Sequence, residues 1–520
     1  MSDLIPLLVA VPIVAAVCAL AIGYVDARTA WPIAVLAALV ETGMASAVAA
    51  RVYRRGEALD YAMGGFEPPY GIELVVDGVS AALIVLIPIV ALGVLAYVWT
   101  AGPKSPAFFA TFLLLLSGLA GMTVTGDAFN LYVFLEITGL AAYALVATGD
   151  RGRAAVGALK YLIVGTVGAS LFLLGVGYAF LATGTLNMAD LATKLAEVGY
   201  DDTLVRASFA LVVVGLGVKT ALYPLHTWQP EAYASAPDGV SAYVAALVST
   251  VSAYALGRML FSVYTVDFLA AVPAARTGVL TLAGISVVAG SVLAVTQTEI
   301  KRMLAYSSVS QFGLVVAGFA IANEAAVTGG TIHLIGHAVM KGALFLGAGA
   351  VAAATGARTV GEYDGLFARR PVLSGAFAVL ALAMVGVPPA VGFVGKWYIA
   401  VGAVEAGAWP IAVVILASTL LTLAYFARLI ERMFFRAPAG AAAPAPGAAT
   451  DVAADGGDAD ADRDPDRDRR TTVHSSRAPP APSFGMVAVV VLAAVLAVAL
   501  GGVASTFESL LQPTLETLLT

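Results

Sequence analysis

Apolar stretches of 18 or more residues recur from one end of this 520-residue chain to the other. As a helix, each is long enough to cross about 30 Å of hydrocarbon. Inside a bilayer the backbone must satisfy its own N–H and C=O groups, which leaves helices as the form for segments of this length. The expected fold is therefore an all-α polytopic membrane protein. Fourteen spans are expected, near 3–25, 31–53, 72–100, 107–124, 127–148, 156–183, 203–223, 236–264, 276–297, 303–322, 326–354, 371–395, 402–435 and 483–508. The first run, "LIPLLVAVPIVAAVCALAIGYV", follows Asp3 rather than a basic cluster and exceeds a signal-peptide core. It reads as a retained span. It also holds the one cysteine, Cys18, so neither a disulfide nor a thiolate metal site is expected.

Between the sixth and seventh spans, "LNMADLATKLAEVGYDD" reads as a short interfacial helix and turn. Residues 437–482 are rich in Ala, Pro, Gly and Asp without apolar periodicity, and read as a disordered acidic linker. Counting Lys and Arg in the connections gives 13 on one side and 7 on the other. The positive-inside bias then places both termini outside and the linker in the cytoplasm. The triplet Arg51, Arg54 and Arg55 pulls the other way.

A weak internal repeat is visible. "SLFLLGVGYAFLATGT" (170–185) resembles "ALFLGAGAVAAATGA" (343–357), and "VGLGVK" ending at Lys219 resembles "VGFVGK" ending at Lys396. The offsets, 173 and 177, suggest two five-helix units over 107–264 and 276–435, following N-terminal helices in 1–106 and preceding a last helix and tail in 483–520. Five is odd, so the second unit is inverted. Pro224 and Pro388-Pro389 supply helix interruptions of the kind found in transporters built from inverted repeats.

Charge makes up only 12% of the chain. With loops set aside, the ionisable groups left within spans are Glu41, Glu136, Lys219, His333, His337, Lys341 and Lys396. A lysine at the bilayer centre costs about 2.5–3.5 kcal/mol even on the lenient insertion scale, so such groups are functional candidates by default. A static ion pair pinning two helices is the plainer reading of Glu136 and Lys219. The membrane setting favours function for those two and for Lys396. His333, His337 and Lys341 fall at i, i+4 and i+8, a single polar stripe on an apolar helix. A neutral histidine can simply hydrogen-bond between helices, so the histidines are evenly balanced. Glu41 has no assignable charged neighbour and is expected to be structural or protonated. Asp77, Asp127 and Asp190 sit at span ends and read as interfacial caps. Carboxylates, imidazoles and amines all exchange protons, and the balance between burial and a carboxylate within ~4–6 Å decides whether an amine keeps its proton. The ion that this set can handle is the proton.

"PYGIELVVDGVSA", "GDAFNLYVFLEI", "ALKYLIVGTVGASLFLLGVG", "GTLNMADLA", "VKTALYPLHTWQPEAYASAP", "IKRMLAYSSVSQFG", "HAVMKGALFLGAG" and "GFVGKW" resemble the antiporter-like membrane subunits shared by Mrp-type cation/proton antiporters and respiratory complex I. The likeness spans roughly 70–435 and is greatest to the D subunits of Mrp antiporters. It implies fourteen helices with inverted five-helix repeats. By position, Glu136 resembles the family's channel-side glutamate and Lys219 its partner lysine. Lys341 and Lys396 resemble central and exit relay lysines, and His337 a relay histidine, with His333 and Thr250 as weaker candidates. In the eighth span the family carries a lysine or histidine in a segment like "LLTKVGIYAL". Here the stretch is "LVSTVSAYAL", with Thr250 at that position. Crossing between the halves is then expected to use a hydrated gap beside Thr250, Ser249 and Ser252.

The leading expectation is the proton-translocating subunit of a multi-subunit Na⁺(K⁺)/H⁺ antiporter, and the alternative is a proton-pumping subunit of a complex I-type NADH or ferredoxin:quinone oxidoreductase. A non-conducting scaffold leaves Glu136, Lys219 and Lys396 unexplained. A carrier of organic solutes would want a polar pocket rather than a linear proton-exchanging series. No phosphate loop, dinucleotide fingerprint or metal cluster is recognisable, and no nucleic-acid partner is expected. Such a chain is a transport subunit without cofactor or metal of its own. Redox or ATP chemistry would belong to the other membrane subunits it assembles with.

Overall fold

The computed structural model describes residues 2–149, 151–437 and 483–519. The acidic segment read as a linker thus lies outside the described residues, apart from its first position. Among those described, thirteen helices are long and apolar enough to cross a membrane. They are Ser2–Val25, Ala27–Arg55, Gly78–Val98, Pro106–Val124, Ala128–Val146, Gly152–Thr183, Thr203–Thr220, Asp238–Ala271, Pro273–Thr296, Ile300–Ile321, Glu324–Thr355, Trp409–Phe435 and Phe484–Gly502. These are the first to eleventh, thirteenth and fourteenth spans. The twelfth is two short helices, Pro371–Val385 and Val391–Glu405.

That twelfth span corrects the expected boundaries 371–395 and 402–435. Gly386 adopts the left-handed conformation (φ 98°) that ends a helix, and two prolines follow within three residues. The interruption expected at Pro388-Pro389 is thus present, and only the bounds change: the second half-helix runs on to Glu405 and the thirteenth span starts at Trp409. The fourteenth span likewise stops at Gly502, and Ala504–Leu518 forms a separate helix instead of a tail. Residues 59–76 form an unexpected hairpin, Leu59–Ala62 antiparallel to Glu73–Val76 in register Leu59↔Val76. The third span therefore begins at Gly78, where Asp77 accepts from the N–H groups of Val79 and Ser80 at 3.0 and 2.9 Å. Asp127 caps the fifth span through Asn130 N–H, while the interfacial helix Met188–Val198 is capped by Asn187 rather than Asp190. The N-terminal turn packs on the hairpin, and Thr514 Oγ1 accepts from Gly78 N–H at 2.9 Å. Both ends of the described chain are thus on one side.

The two five-helix units share backbone landmarks. Ala128 N–H donates to Leu186 and Met188 N–H to Gly126; Ile300 N–H donates to Arg358 and Val360 N–H to Thr298. Every position in the second pair is the first shifted by 172. Gly184 and Gly356, both left-handed, close the sixth and eleventh spans at the same shift. At the broken spans the shift becomes 165: left-handed Ala221 corresponds to Gly386 and Pro224 to Pro389. In that register Lys219 falls on Met384 and Lys396 on Glu231. The lysine-onto-lysine offset of 177 is therefore not the structural register; a matched "VG…GK" string brought together residues on opposite sides of the two breaks.

Burial peaks in the middle of the bundle, where the eighth, tenth and eleventh spans are almost wholly enclosed. Small residues allow this packing: a Cβ on Gly395 would stand 2.6 Å from His333 Cβ, and one on Gly290 2.5 Å from Ser310 N.

Candidate functional site

Lys219 lies in the last turn of Thr203–Thr220, which ends at left-handed Ala221 and resumes as Gln229–Ser235. Its ammonium lies at the negative end of that helix. Only 4% of its side chain is exposed, and Nζ is 3.4 Å from Glu136 Oε1 and 3.2 Å from the Tyr143 hydroxyl. Gly139 leaves room for this: a Cβ there would be 3.2 Å from Nζ. The break is clamped by Trp228, which stacks on Tyr161 at 3.9 Å and donates Nε1–H to Val218 O at 2.9 Å. Glu136 keeps 24% of its side chain exposed, so the pair is neither fully dry nor tightly bonded.

Across the bundle centre the polar groups are neutral. Thr250 is fully buried and its hydroxyl has no protein partner. Beside it in sequence, Ser249 closes a triangle with Gln229 and Tyr233, each edge 3.2 Å. Gln229 Oε1 is left without a protein partner. Ser252 takes no part, because its hydroxyl donates to Val248 O on its own helix at 2.8 Å. Gln229 and Tyr233 were missed by sequence reasoning. A polar i, i+4 pair directly after a proline-broken helix was the available signal. The eighth span carries π-turns at Val244–Val248 and Leu260–Tyr264, on either side of this region.

On the eleventh span His333, His337 and Lys341 are all fully buried. His333 Nε2 meets Gln311 Oε1 at 2.9 Å, and neither nitrogen of His337 has a protein partner. His337 packs edge-on against Phe312, with ring centroids 4.6 Å apart. Lys341 Nζ donates to Ser307 Oγ at 2.9 Å and Leu304 O at 3.1 Å; Ser307 in turn meets the Tyr425 hydroxyl at 2.8 Å. Lys396 has no carboxylate partner among the described residues. Instead it reaches back across the twelfth-span break to Met384 O (2.9 Å) and Val385 O (3.0 Å), the carbonyls that the break leaves unpaired. Glu41 is buried with one oxygen unpartnered and does not join this series.

At one end of the bundle, ion pairs tie the two units together. Arg153 binds Glu231 at 3.1 Å and Glu299 at 2.8 Å, Arg302 also binds Glu231, and Lys301 binds Asp238 at 3.0 Å. Beyond the spans, Glu362 accepts from the N–H groups of Arg358 and Thr359 at 2.7 and 2.8 Å, which hold its carboxyl below the usual carboxylate range. The described residues include no group of three metal-ligating side chains. The arrangement offers two membrane-embedded amines at broken helices, a third amine on the eleventh span, and hydroxyl, amide and imidazole groups buried with them.

Known proteins share this organisation. NADH-quinone oxidoreductase subunit N of Desulforudis audaxviator is 46% identical over 427 residues, 80% of this chain and 82% of that protein. The D subunit of the Na⁺/H⁺ antiporter of Bacillus subtilis is 33% identical over 376 residues, 72% of this chain and 75% of its own. A chain of the membrane-bound sulfane sulfur reductase, an archaeal respiratory membrane complex, superposes with a TM-score of 0.85 at 29% identity, covering 99% of this chain and 97% of that one. The family model described as NADH:quinone oxidoreductase/Mrp antiporter, TM, matches residues 125–422. The chain belongs to the NADH:quinone oxidoreductase/Mrp antiporter transmembrane family.

Proposed function

We propose that this chain is the proton-translocating subunit of a multi-subunit membrane complex, and that Glu136, Lys219, Lys341 and Lys396 are its proton-exchanging stations. The observation that carries the reading is the Glu136–Lys219 contact of 3.4 Å at a broken helix. Changing that separation changes how strongly the ammonium is held, which loads or unloads a proton without large motion. His333, His337 and Gln311 bridge toward Lys341 and Lys396. By the resemblance Thr250 takes the place of the family's charged residue, and its neighbour Ser249 joins the triangle with Gln229 and Tyr233. Buried polar atoms without protein partners at Thr250, Gln229 and His337 are groups that ordered water satisfies, so the central crossing is a neutral, water-bridged step. Lys219→Ala tests this reading: proton transport by the assembled complex should be lost while assembly persists. Wild-type transport by that variant overturns it.

Of the two assemblies, the redox-coupled one takes precedence, because 46% identity over four-fifths of the chain to an NADH-quinone oxidoreductase subunit exceeds the 33% to an antiporter subunit. The Na⁺(K⁺)/H⁺ antiporter reading stands second on that 33%. Purifying the complex decides between them: redox subunits copurify in the first case, small Mrp-type membrane subunits in the second. The excess of Lys and Arg in one set of connections supports termini facing outward and the acidic segment facing the cytoplasm.

A further inference from the structure

One polar face plays no part in that series of stations. On the eighth span Thr250, Tyr254, Arg258 and Ser262 recur every four residues, stacking along one side of the helix. The stripe begins at the unpartnered Thr250 hydroxyl in the core. One turn on, the Tyr254 hydroxyl donates to Thr123 O at 2.9 Å and accepts from Arg258 Nη2 and Nε at 2.8 and 3.1 Å. Arg258 Nη1 then meets Asp77 Oδ2 at 2.7 Å and Ser262 Oγ at 3.2 Å.

Two cavities meet at this ion pair. The larger, about 610 Å³, lies on the side that carries the hairpin and the C-terminal helix. Its walls bring three carboxylates, Glu57, Glu73 and Asp77, against the single guanidinium of Arg258. The smaller, about 30 Å³, continues inward along Tyr254 and Phe319 to Thr331, two residues before His333. That is room for one water, between walls that are largely apolar apart from the ion pair, Tyr254, Ser262 and Thr331. Asp77, Arg258, Phe261 and Ser262 line both. The pair is the floor of the one and the roof of the other.

We propose that the large cavity is the mouth of the proton path on the hairpin side, and that the Arg258–Asp77 pair is the gate between this vestibule and Thr250. The proposal rests on the proton-relay reading above. The carboxylate surplus concentrates protons and cations at the mouth. A fixed guanidinium at the floor rejects hydrated metal cations, and protons pass along water and hydroxyls only when the pair parts. A purely structural pair would explain the cap on the third span, but not why the arginine donates along a hydroxyl stripe leading to the core.

The test uses the reconstituted complex with Cys18→Ala as background, since Cys18 is this chain's one cysteine. The variant Ala192→Cys puts a thiol on the vestibule wall, and a cationic methanethiosulfonate is applied to both membrane faces. Labelling should lower proton transport at least about tenfold, because the adduct places a fixed cation in the mouth. Ser509→Cys, exposed on the C-terminal helix outside the cavity, should label without loss. Complete labelling of the Ala192→Cys variant with unchanged transport overturns the vestibule, and so does failure of its thiol to react. For the gate, Arg258→Gln should raise passive proton leak in vesicles, with Arg258→Lys restoring tightness. Leak at the wild-type level in an assembled Arg258→Gln complex overturns the gate. Loss of transport in Lys219→Ala, alongside a labelled but unaffected Ala192→Cys variant, removes the vestibule and keeps the relay; transport by Lys219→Ala removes the relay itself.

Discussion

Replacing Lys219 with methionine separates a proton station from a static pin. At 3.4 Å and an effective dielectric of ~20, the Glu136–Lys219 attraction is about 5 kcal/mol before desolvation. Glu136 retains a quarter of its exposure, and halving the figure for water access leaves ~2.5 kcal/mol, close to a hundredfold in rate. Methionine keeps the length of the stem, and the carboxylate it strands still reaches water, so the fold should hold. Lys219→Met is therefore expected to lower proton transport by about two orders of magnitude in reconstituted vesicles, with the complex melting within a few degrees of wild type. The double variant Glu136→Gln/Lys219→Met discriminates further. A pin needs only matched neighbours, so neutralising both partners would restore transport. A proton station needs the groups themselves, and the double variant should stay inactive. Recovery of transport in the double variant, or wild-type rates in Lys219→Met, refutes the reasoning.

Thr250→Val should slow transport several-fold without unfolding the chain, since the buried hydroxyl it removes bonds to no protein group; unchanged rates take this hydroxyl off the path. Gln229→Leu should act in the same direction and cost stability as well, about 1–3 kcal/mol from its two lost bonds to the Tyr233 and Ser249 hydroxyls, read from the complex's melting curve. Gly395→Ala should lower assembly yield, because the added methyl lies 2.6 Å from His333 Cβ and overpacking costs about 1–3 kcal/mol; normal yield and melting would contradict that contact. Exchanging 437–482 for a short Gly/Ser link should leave transport intact, as its composition cannot bury a core; a loss of rate in vesicles counts against this.

The spans were legible because burying a backbone in hydrocarbon leaves one solution, and the ionisable residues were legible because hydrocarbon makes each of them costly. What escaped is local to places where the chain leaves that regime. Of the hairpin at 59–76, the first strand lies outside the apolar runs and the second, Glu73–Val76, was absorbed into the expected third span 72–100, because short strands carry little periodic signal. The break was expected from Pro388-Pro389, but hydropathy runs on through Val385, Val387 and the prolines, so the end of the second half-helix at Glu405 was not placed. Gln229 and Tyr233 were passed over because a buried amide and phenol carry no charge to draw attention, although they form a buried triangle with Ser249. Asp77 was assigned to a span end and Arg258 was not among the ionisable groups kept within spans, and only the packing of the third span against the eighth brings them to 2.7 Å.

Under the proposed relay, Lys219 and Lys396 would not be equivalent stations. Aligned on their breaks, the first unit holds its lysine before the interruption and the second after it. Lys219 answers to a carboxylate, whereas Lys396 answers to two backbone carbonyls at a helix end. A carboxylate can move with its helix and can itself take a proton, so the first station is adjustable. Carbonyls keep a fixed dipole that never titrates, so the second station can change only if the break itself opens. The two units are related in backbone but not in chemistry. Charge repositioning at Glu136 would start the cycle on one side, and a change of shape at Gly386–Ala390 would end it on the other.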